Sequence, residues 1–311
     1  METLNSECAQ TALCDRIQDA RTRPTIVYLD TNIFDNLVKK TDSATQTDEK
    51  RLRSAVSLRR LTIVISHTNI RETLAAVPSY PDIARAQIGL MLSLVDWNRL
   101  VRLSPEILED DIRHFAFNGE AANSPFVRDT THVRSILQRI IDGRIAGEEL
   151  EAVIQEDREQ KRTFLGRVRK VRAEMRRALA TLKKAGEIPT FEQFFEDGAE
   201  EHLRAFIRSF RVAEECERRG LDKLLRIPSI RAMIGLGMSF IYRTAVEGKA
   251  PRRSDLRDLQ HAPAAAAVAD IFVTRDEEFA LMLGRVPIKG FRVMGLHKLL
   301  ADTEGLAGPA D

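Results

Sequence analysis

The strongest constraint on this chain is a local pattern that occurs at three places. A short run of β-branched, aliphatic and aromatic residues ends in polar residues, and apolar residues at helical spacing follow at once. Thr25-Ile26-Val27-Tyr28-Leu29 leads into Asp30-Thr31-Asn32 and then Ile33, Phe34, Leu37 and Val38. Leu61-Thr62-Ile63-Val64-Ile65 leads into Ser66-His67-Thr68-Asn69 and a helical stretch from Ile70 to Val77. Ile271-Phe272-Val273-Thr274 leads into Arg275-Asp276 and a helix through Phe279, Leu281 and Leu283. Such runs are buried strands. A last short strand is expected near Phe291-Arg292-Val293-Met294. Strands that alternate with helices build βα units and a mostly parallel sheet.

Between the second and third strands almost everything reads as helix. Glu148 to Lys184 is long and highly charged, Phe191 to Arg219 is closed by Gly220, and Ser229 to Val246 starts after Pro228 and ends near Gly248. The chain therefore divides into a tail at 1–23, a discontinuous α/β domain at 24–110 and 250–303, a helical insertion at 111–249, and a tail at 304–311. A length of 311 residues suits that division, at roughly 150 residues per domain. Hydrophobic residues at 43% and charged residues at 30% fit a soluble globular chain. The first residues carry Glu2, Glu7 and Asp15 without an apolar run, so no signal peptide is expected. No stretch approaches the ~18 apolar residues of a spanning helix, so the expected location is cytoplasmic, with no membrane partner. Three cysteines do not make a disulfide framework or a four-ligand zinc site, and the histidines show no HxxxH or HExxH spacing. A net charge of +2 names no partner by itself.

The acids fall where a parallel sheet places ligands. Asp30 ends the first strand, Glu72 lies a helical turn or so past the second, Asp276 follows the third, and Asp258 is early in the helix before it. The carboxyl ends of parallel strands open on a shared crevice, so these four converge there. Each has a local role available. Asp30 and Asp276 can cap the helices that follow them, Glu72 stands three after Asn69 as in a capping box, and Asp258 suits a first helical turn. Jointly the local roles are strained, because two carboxylates ~6 Å apart repel by about 3 kcal/mol at an effective dielectric of 20. Four in one crevice take up protons or hold a cation. Oxygen donors of this kind suit Mg²⁺ or Mn²⁺, which can assist phosphodiester hydrolysis.

The stretch Ile26-Val27-Tyr28-Leu29-Asp30-Thr31-Asn32-Ile33-Phe34 resembles the opening motif of PIN-domain nucleases. Ile65-Ser66-His67-Thr68-Asn69-Ile70-Arg71-Glu72-Thr73-Leu74 is similar to their second motif. Asp258-Leu259-Gln260-His261, then Ala269-Asp270-Ile271-Phe272-Val273-Thr274-Arg275-Asp276, is similar to the third and fourth. The resemblance covers the outer half of the chain and departs from the minimal nucleases in its long helical insertion. It implies a Rossmann-like three-layer α/β/α domain of the PIN type. It also implies a metal-dependent endoribonuclease with Asp30, Glu72, Asp258 and Asp276 as metal-binding and catalytic acids, supported by Asn32 and Thr274. RNA is the implied substrate, and a cognate inhibitor protein and a homodimer are arrangements the sequence leaves open. Asp255 and Asp270 compete for a ligand role. The family motif places its acid three before the histidine, so the resemblance favours Asp258 over Asp255, and Asp270 lies at the amino end of its strand and reads as structural.

Two further signals belong to this reading. His261 shares a helix face with Asp258 and is placed to orient a carboxylate or a phosphate, or simply to pack. Arg158 to Lys184 is rich in bases, among them Arg167, Arg169, Lys170 and Arg172, and with Arg275 these are candidates for phosphate contact. A solvated helix face is the plainer account of the same run. Two other functions compete. An aspartate-nucleophile phosphatase needs an acid where Asn32 stands. A catalytically silent PIN-like scaffold that binds RNA or protein needs no change at all.

Overall fold

The computed structural model describes residues 23–39, 43–145, 150–151, 154–156, 158–159, 162–163, 189–249, 252 and 255–305. The chain enters through β1 (Thr25–Leu29), then α1 (Thr31–Lys39), α2 (Ser43–Ser57), β2 (Leu61–Val64), α3 (His67–Ala76) and α4 (Pro81–Leu94). Helices α5 (Ser104–Asn118), α6 (Thr131–Ile141), α7 (Phe191–Ile207), α8 (Ala213–Arg219), α9 (Leu221–Leu224) and α10 (Pro228–Ala245) follow. The α/β pattern resumes with α11 (Asp255–Val268), β3 (Ile271–Val273), α12 (Glu277–Gly284), β4 (Arg292–Met294) and α13 (Leu296–Gly305). The four strands form one parallel sheet in the order β2-β1-β3-β4. Beyond β2 the sheet continues only in fragments. Asp96 N–H bonds the Ile63 carbonyl and Val101 N–H bonds the Ile65 carbonyl, both at 2.9 Å, on either side of a 3₁₀ turn at Trp97–Arg99.

Side-chain alternation sorts the strand residues between two cores. Val27, Leu29, Ile63, Ile271 and Val273 face α1, α2, α4 and α13, packing against Ile33, Phe34, Leu52, Ile88, Met91 and Leu299. Ile26, Tyr28, Val64 and Phe272 face the other way, against α10, α11 and α12 through Ala232, Leu236, Ala264, Ala265, Phe279 and Met282. Strands buried on both faces have no polar side to show, which is why they read as nearly continuous apolar runs. The molecule is thus α/β, with helices on both sides of a parallel sheet.

A third core lies among the helices inserted between β2 and β3. Leu108, Ile112 and Phe115 of α5, Phe195, Ala199 and Leu203 of α7, Cys216 of α8 and Ile230, Ile234 and Met238 of α10 form it. Two helices join this core to the sheet: α5 through Ile107 and α10 through Ala232 and Leu236, on the sheet side. The boundary drawn at 110/111 therefore falls inside α5. Gly235 makes the second junction possible, because a Cβ there would sit 2.3 Å from Val286 Cγ1. The block read as Phe191 to Arg219 is two helices, with a turn between Ile207 and Ala213. Helices α2 and α4 are additions to the sequence reading. No described helix is long and apolar enough to cross a membrane.

Candidate active site

In the sheet order, β1 connects to β2 on one side and pairs with β3 on the other, so the order reverses between β1 and β3. That reversal opens a crevice at the carboxyl ends of the two strands. Asp30 follows β1 directly, and Thr274 and Asp276 follow β3. Helix α3 brings Glu72 to the same rim and α11 brings Asp258 and His261. A cleft of about 370 Å³ is lined by Asp30, Asn32, Glu72, Arg257, Asp258, His261 and Asp276, among others. All four acids singled out from the sequence thus face one opening.

Their environments differ. One oxygen of Asp30, Oδ2, accepts from Asn32 Nδ2 and from Thr274 Oγ1, each at 2.7 Å. Its other oxygen, Oδ1, lies 3.9 Å from His261 Nε2. Glu72 Oε2 is 3.2 Å from the same nitrogen, and its Oε1 is 3.0 Å from Arg257 Nε. Asp30, Glu72 and His261 each offer a ligand atom within 4.8 Å of the others, which makes them a group able to hold a metal ion. Asp258 is buried and lines the cleft, but stands outside that group. Asp276 also stands outside it; its Oδ1 caps α12 by accepting from Phe279 N–H at 2.9 Å, and its Oδ2 pairs with Arg252 at 3.1 Å.

Electrostatics explains how three ionisable groups coexist in the interior. Burial raises the pKa of Asp30, and Glu72 raises it further against the opposing pull of His261 and Thr274. Burial works on Glu72 in the same direction, but His261, Arg257 and the Thr31 hydroxyl outweigh it and hold the carboxyl below its usual range. For His261 burial favours the neutral ring, yet Glu72, Asp30 and Asp258 together raise its pKa. The two carboxylates and the ring thus favour one another's charged forms against the cost of burial.

A buried hydroxyl holds the imidazole in place. Tyr28 Oη lies 2.7 Å from His261 Nδ1, 2.6 Å from Ser66 Oγ and 2.8 Å from Asn69 Oδ1. Asn69 Nδ2 donates in turn to the Leu29 carbonyl at 2.9 Å. Sequence reasoning assigned none of this to Tyr28, Ser66 or Asn69. The capping box is also placed differently from the expectation. It joins Ser66 and Asn69, so Glu72 is a second-turn residue aimed at α11 and caps nothing. The usable signal was that a tyrosine inside a buried strand requires a partner for its hydroxyl.

The remaining expectations are placed as follows. Asp270 closes β1 against β3, accepting from Ile26 N–H at 2.8 Å away from the cleft. Arg275 is exposed; its guanidinium bonds Asn36 and its N–H bonds Asn32 Oδ1 at 3.1 Å. Arg167, Arg169, Lys170 and Arg172 lie outside the described residues. Cys216 is buried, its thiol pushed up to about 11, and so is unreactive. Comparison of the chain with family models, with curated proteins and with solved structures returned no match.

Proposed function

We propose that this protein is a metal-dependent nuclease of the PIN type that hydrolyses RNA phosphodiester bonds with Mg²⁺ or Mn²⁺. The observation that carries the reading is the arrival of four carboxylates, from four separate elements, in one cleft at the switch point of a parallel sheet. The donor chemistry suits a hard or borderline divalent ion, since Asp30 and Glu72 supply anionic oxygens and the cleft has room for water and a phosphate beside them. Asp30 and Glu72 would hold such an ion, which would supply activation of water and charge neutralisation at the leaving oxygen.

The protein's own groups divide the remaining work. Asn32 and Thr274 pin Asp30 through one oxygen and so fix where the other points. Arg257, one-third exposed beside Glu72, places a cation at the cleft mouth where a substrate phosphate would lie. Asp258 and Asp276 add negative charge around the inner pair, which strengthens the hold on a cation and disfavours an anion arriving alone.

The pairings Arg252–Asp276 and Arg257–Glu72 favour a second reading, a silent PIN-like scaffold whose acids are neutralised internally. Incubation of the purified protein with labelled RNA and DNA, in Mn²⁺, Mg²⁺ or EDTA, separates the two. Cleavage of RNA with metal and none in EDTA is the expected result. Stable RNA binding without cleavage under every metal condition would leave the scaffold.

A further inference from the structure

We infer that His261 is itself a direct metal ligand through Nε2, so that the cleft takes a first-row transition ion such as Mn²⁺ in preference to Mg²⁺. The inference rests on the reading of this cleft as a metal site and adds to it the identity of a nitrogen donor. Three observations carry it.

The first is distance. Ligands ~2.1 Å from one ion lie about 3.0 Å apart when adjacent in an octahedron and about 4.2 Å apart when opposite. His261 Nε2 lies 3.2 Å from Glu72 Oε2 and 3.9 Å from Asp30 Oδ1, inside that range on both counts. All three ligand atoms lie within 4.8 Å of one another.

The second is orientation. The phenol of Tyr28 has one proton, and Asn69 Oδ1, which is only an acceptor, takes it at 2.8 Å. Towards His261 the Tyr28 oxygen is then the acceptor, so Nδ1 carries the ring proton. In the neutral ring this leaves the lone pair on Nε2, pointed at the two carboxylates. A histidine ligand whose far nitrogen is fixed by a hydrogen bond is the usual arrangement around metal sites. Tyr28 is fully buried.

The third is donor type. Two carboxylates alone do not distinguish Mg²⁺ from Mn²⁺, whereas imidazole nitrogen suits transition ions and is a poor partner for magnesium. Asp258 and Asp276 line the same cleft outside the three-donor group.

The test is pulsed electron paramagnetic resonance of Mn²⁺ bound to the full-length protein, with isothermal titration of Mn²⁺ and Mg²⁺. Wild type should show nitrogen modulation from a directly bound imidazole, and labelling with ¹⁵N-histidine should change its frequency. His261→Gln should lose that signal and bind Mn²⁺ at least tenfold more weakly, with Mg²⁺ affinity changed less than about threefold. Tyr28→Phe should keep the nitrogen signal but weaken Mn²⁺ by roughly tenfold or more, as loss of an orienting group does. If wild type with bound Mn²⁺ shows no nitrogen modulation, or His261→Gln binds Mn²⁺ as tightly or more tightly, His261 is only a counter-charge and the inference fails. The labelled wild-type protein decides the matter even if the variant does not fold. A nitrogen signal without RNA hydrolysis would sink the nuclease reading alone, and Mg²⁺-supported hydrolysis without it would sink this inference alone.

Discussion

Asp30 at the sheet rim and Asp111 among the inserted helices are both almost fully buried carboxylates, at 7% and 5% exposure, and burial raises the pKa of each. Their surroundings are otherwise opposite. Asp111 uses its two oxygens on two separate donors, Ala122 N–H at 2.9 Å and the Ser229 hydroxyl. It thereby ties α5 to the start of α10 and to the loop after Gly119. Asp30 takes the side-chain bonds from Asn32 and Thr274 on one oxygen, and its other oxygen lies 3.9 Å from His261 Nε2. Burial and a raised pKa mark both residues equally, so neither property finds a functional site. The allocation of oxygens does separate these two: Asp111 is tied at both ends, whereas Asp30 keeps one oxygen turned to the cleft beside His261.

The sharpest way to break this contrast is to remove the charges in turn. Asp30→Asn and Glu72→Gln should lower metal-dependent RNA cleavage about a thousandfold or more, several kcal/mol of transition-state stabilisation. Asp258→Asn should do the same if it steers the ion from the outer ring, and Asp276→Asn should lose less, because its carboxylate also caps α12. Asp111→Asn should cleave at the wild-type rate. Asp30→Asn with normal turnover would dissolve the distinction.

Next in size is the response to metal. Mn²⁺ at about a hundred times its Kd should stabilise the protein by about 2.7 kcal/mol, because only the folded state assembles the ligands. Thermal unfolding should then shift upwards by several degrees for wild type and for Asp111→Asn. The same scan of Asp30→Asn should show no shift. A flat response in wild type up to millimolar metal, with activity intact in EDTA, would end the metal hypothesis.

Stability without metal should reverse the ranking. Asp111→Ala should cost roughly 1–3 kcal/mol, since the Ser229 hydroxyl and the Ala122 N–H lose their buried acceptor. Asp30→Asn should be neutral or stabilising in urea unfolding, because it removes one of two neighbouring negative charges. Equal losses from both would mean that Asp30 is as structural as Asp111.

The smallest effect is on pH dependence. Glu72 has a lowered folded pKa, so its contribution to metal-free stability is full above about 4.5 and falls away as the pH drops through the folded value. His261 has a raised folded pKa, so its contribution is full below about 6.5 and is lost as the pH rises through the folded value. Metal-free wild type should therefore be most stable between those limits, measured by denaturant midpoint against pH. His261→Gln should flatten the alkaline side, and an unchanged alkaline slope would exclude the ring as its origin.

The strands and the acids at their ends were legible because both are local. A parallel strand buried on two faces is apolar throughout, and an acid directly after it is unusual enough to notice. Asn69 was misread for an equally local reason. Spacing by three links it both to Ser66 and to Glu72, and only the geometry shows that the box belongs with the residue that leaves the strand. Tyr28 was invisible as part of the site because its partners lie 38, 41 and 233 residues away. The pairing of Arg252 with Asp276 and of Arg257 with Glu72 likewise depends on how α11 sits against α3 and β3, which no periodicity encodes.

Helix α11 carries Asp258, Gln260 and His261 and contains Pro263. At that proline the Ser104 hydroxyl, from the first turn of α5, stands between two rungs of the helical ladder. It bonds the Gln260 carbonyl and accepts from Ala264 N–H at 3.2 Å, groups that would otherwise bond each other. A helical rung next to His261 is therefore completed by a residue 156 positions earlier than Gln260, at the root of the helical insertion. The site is not a portable cassette. Excising α5 with the inserted helices, or grafting α11 and the sheet into a minimal scaffold, would remove that hydroxyl and leave the rung beside His261 open.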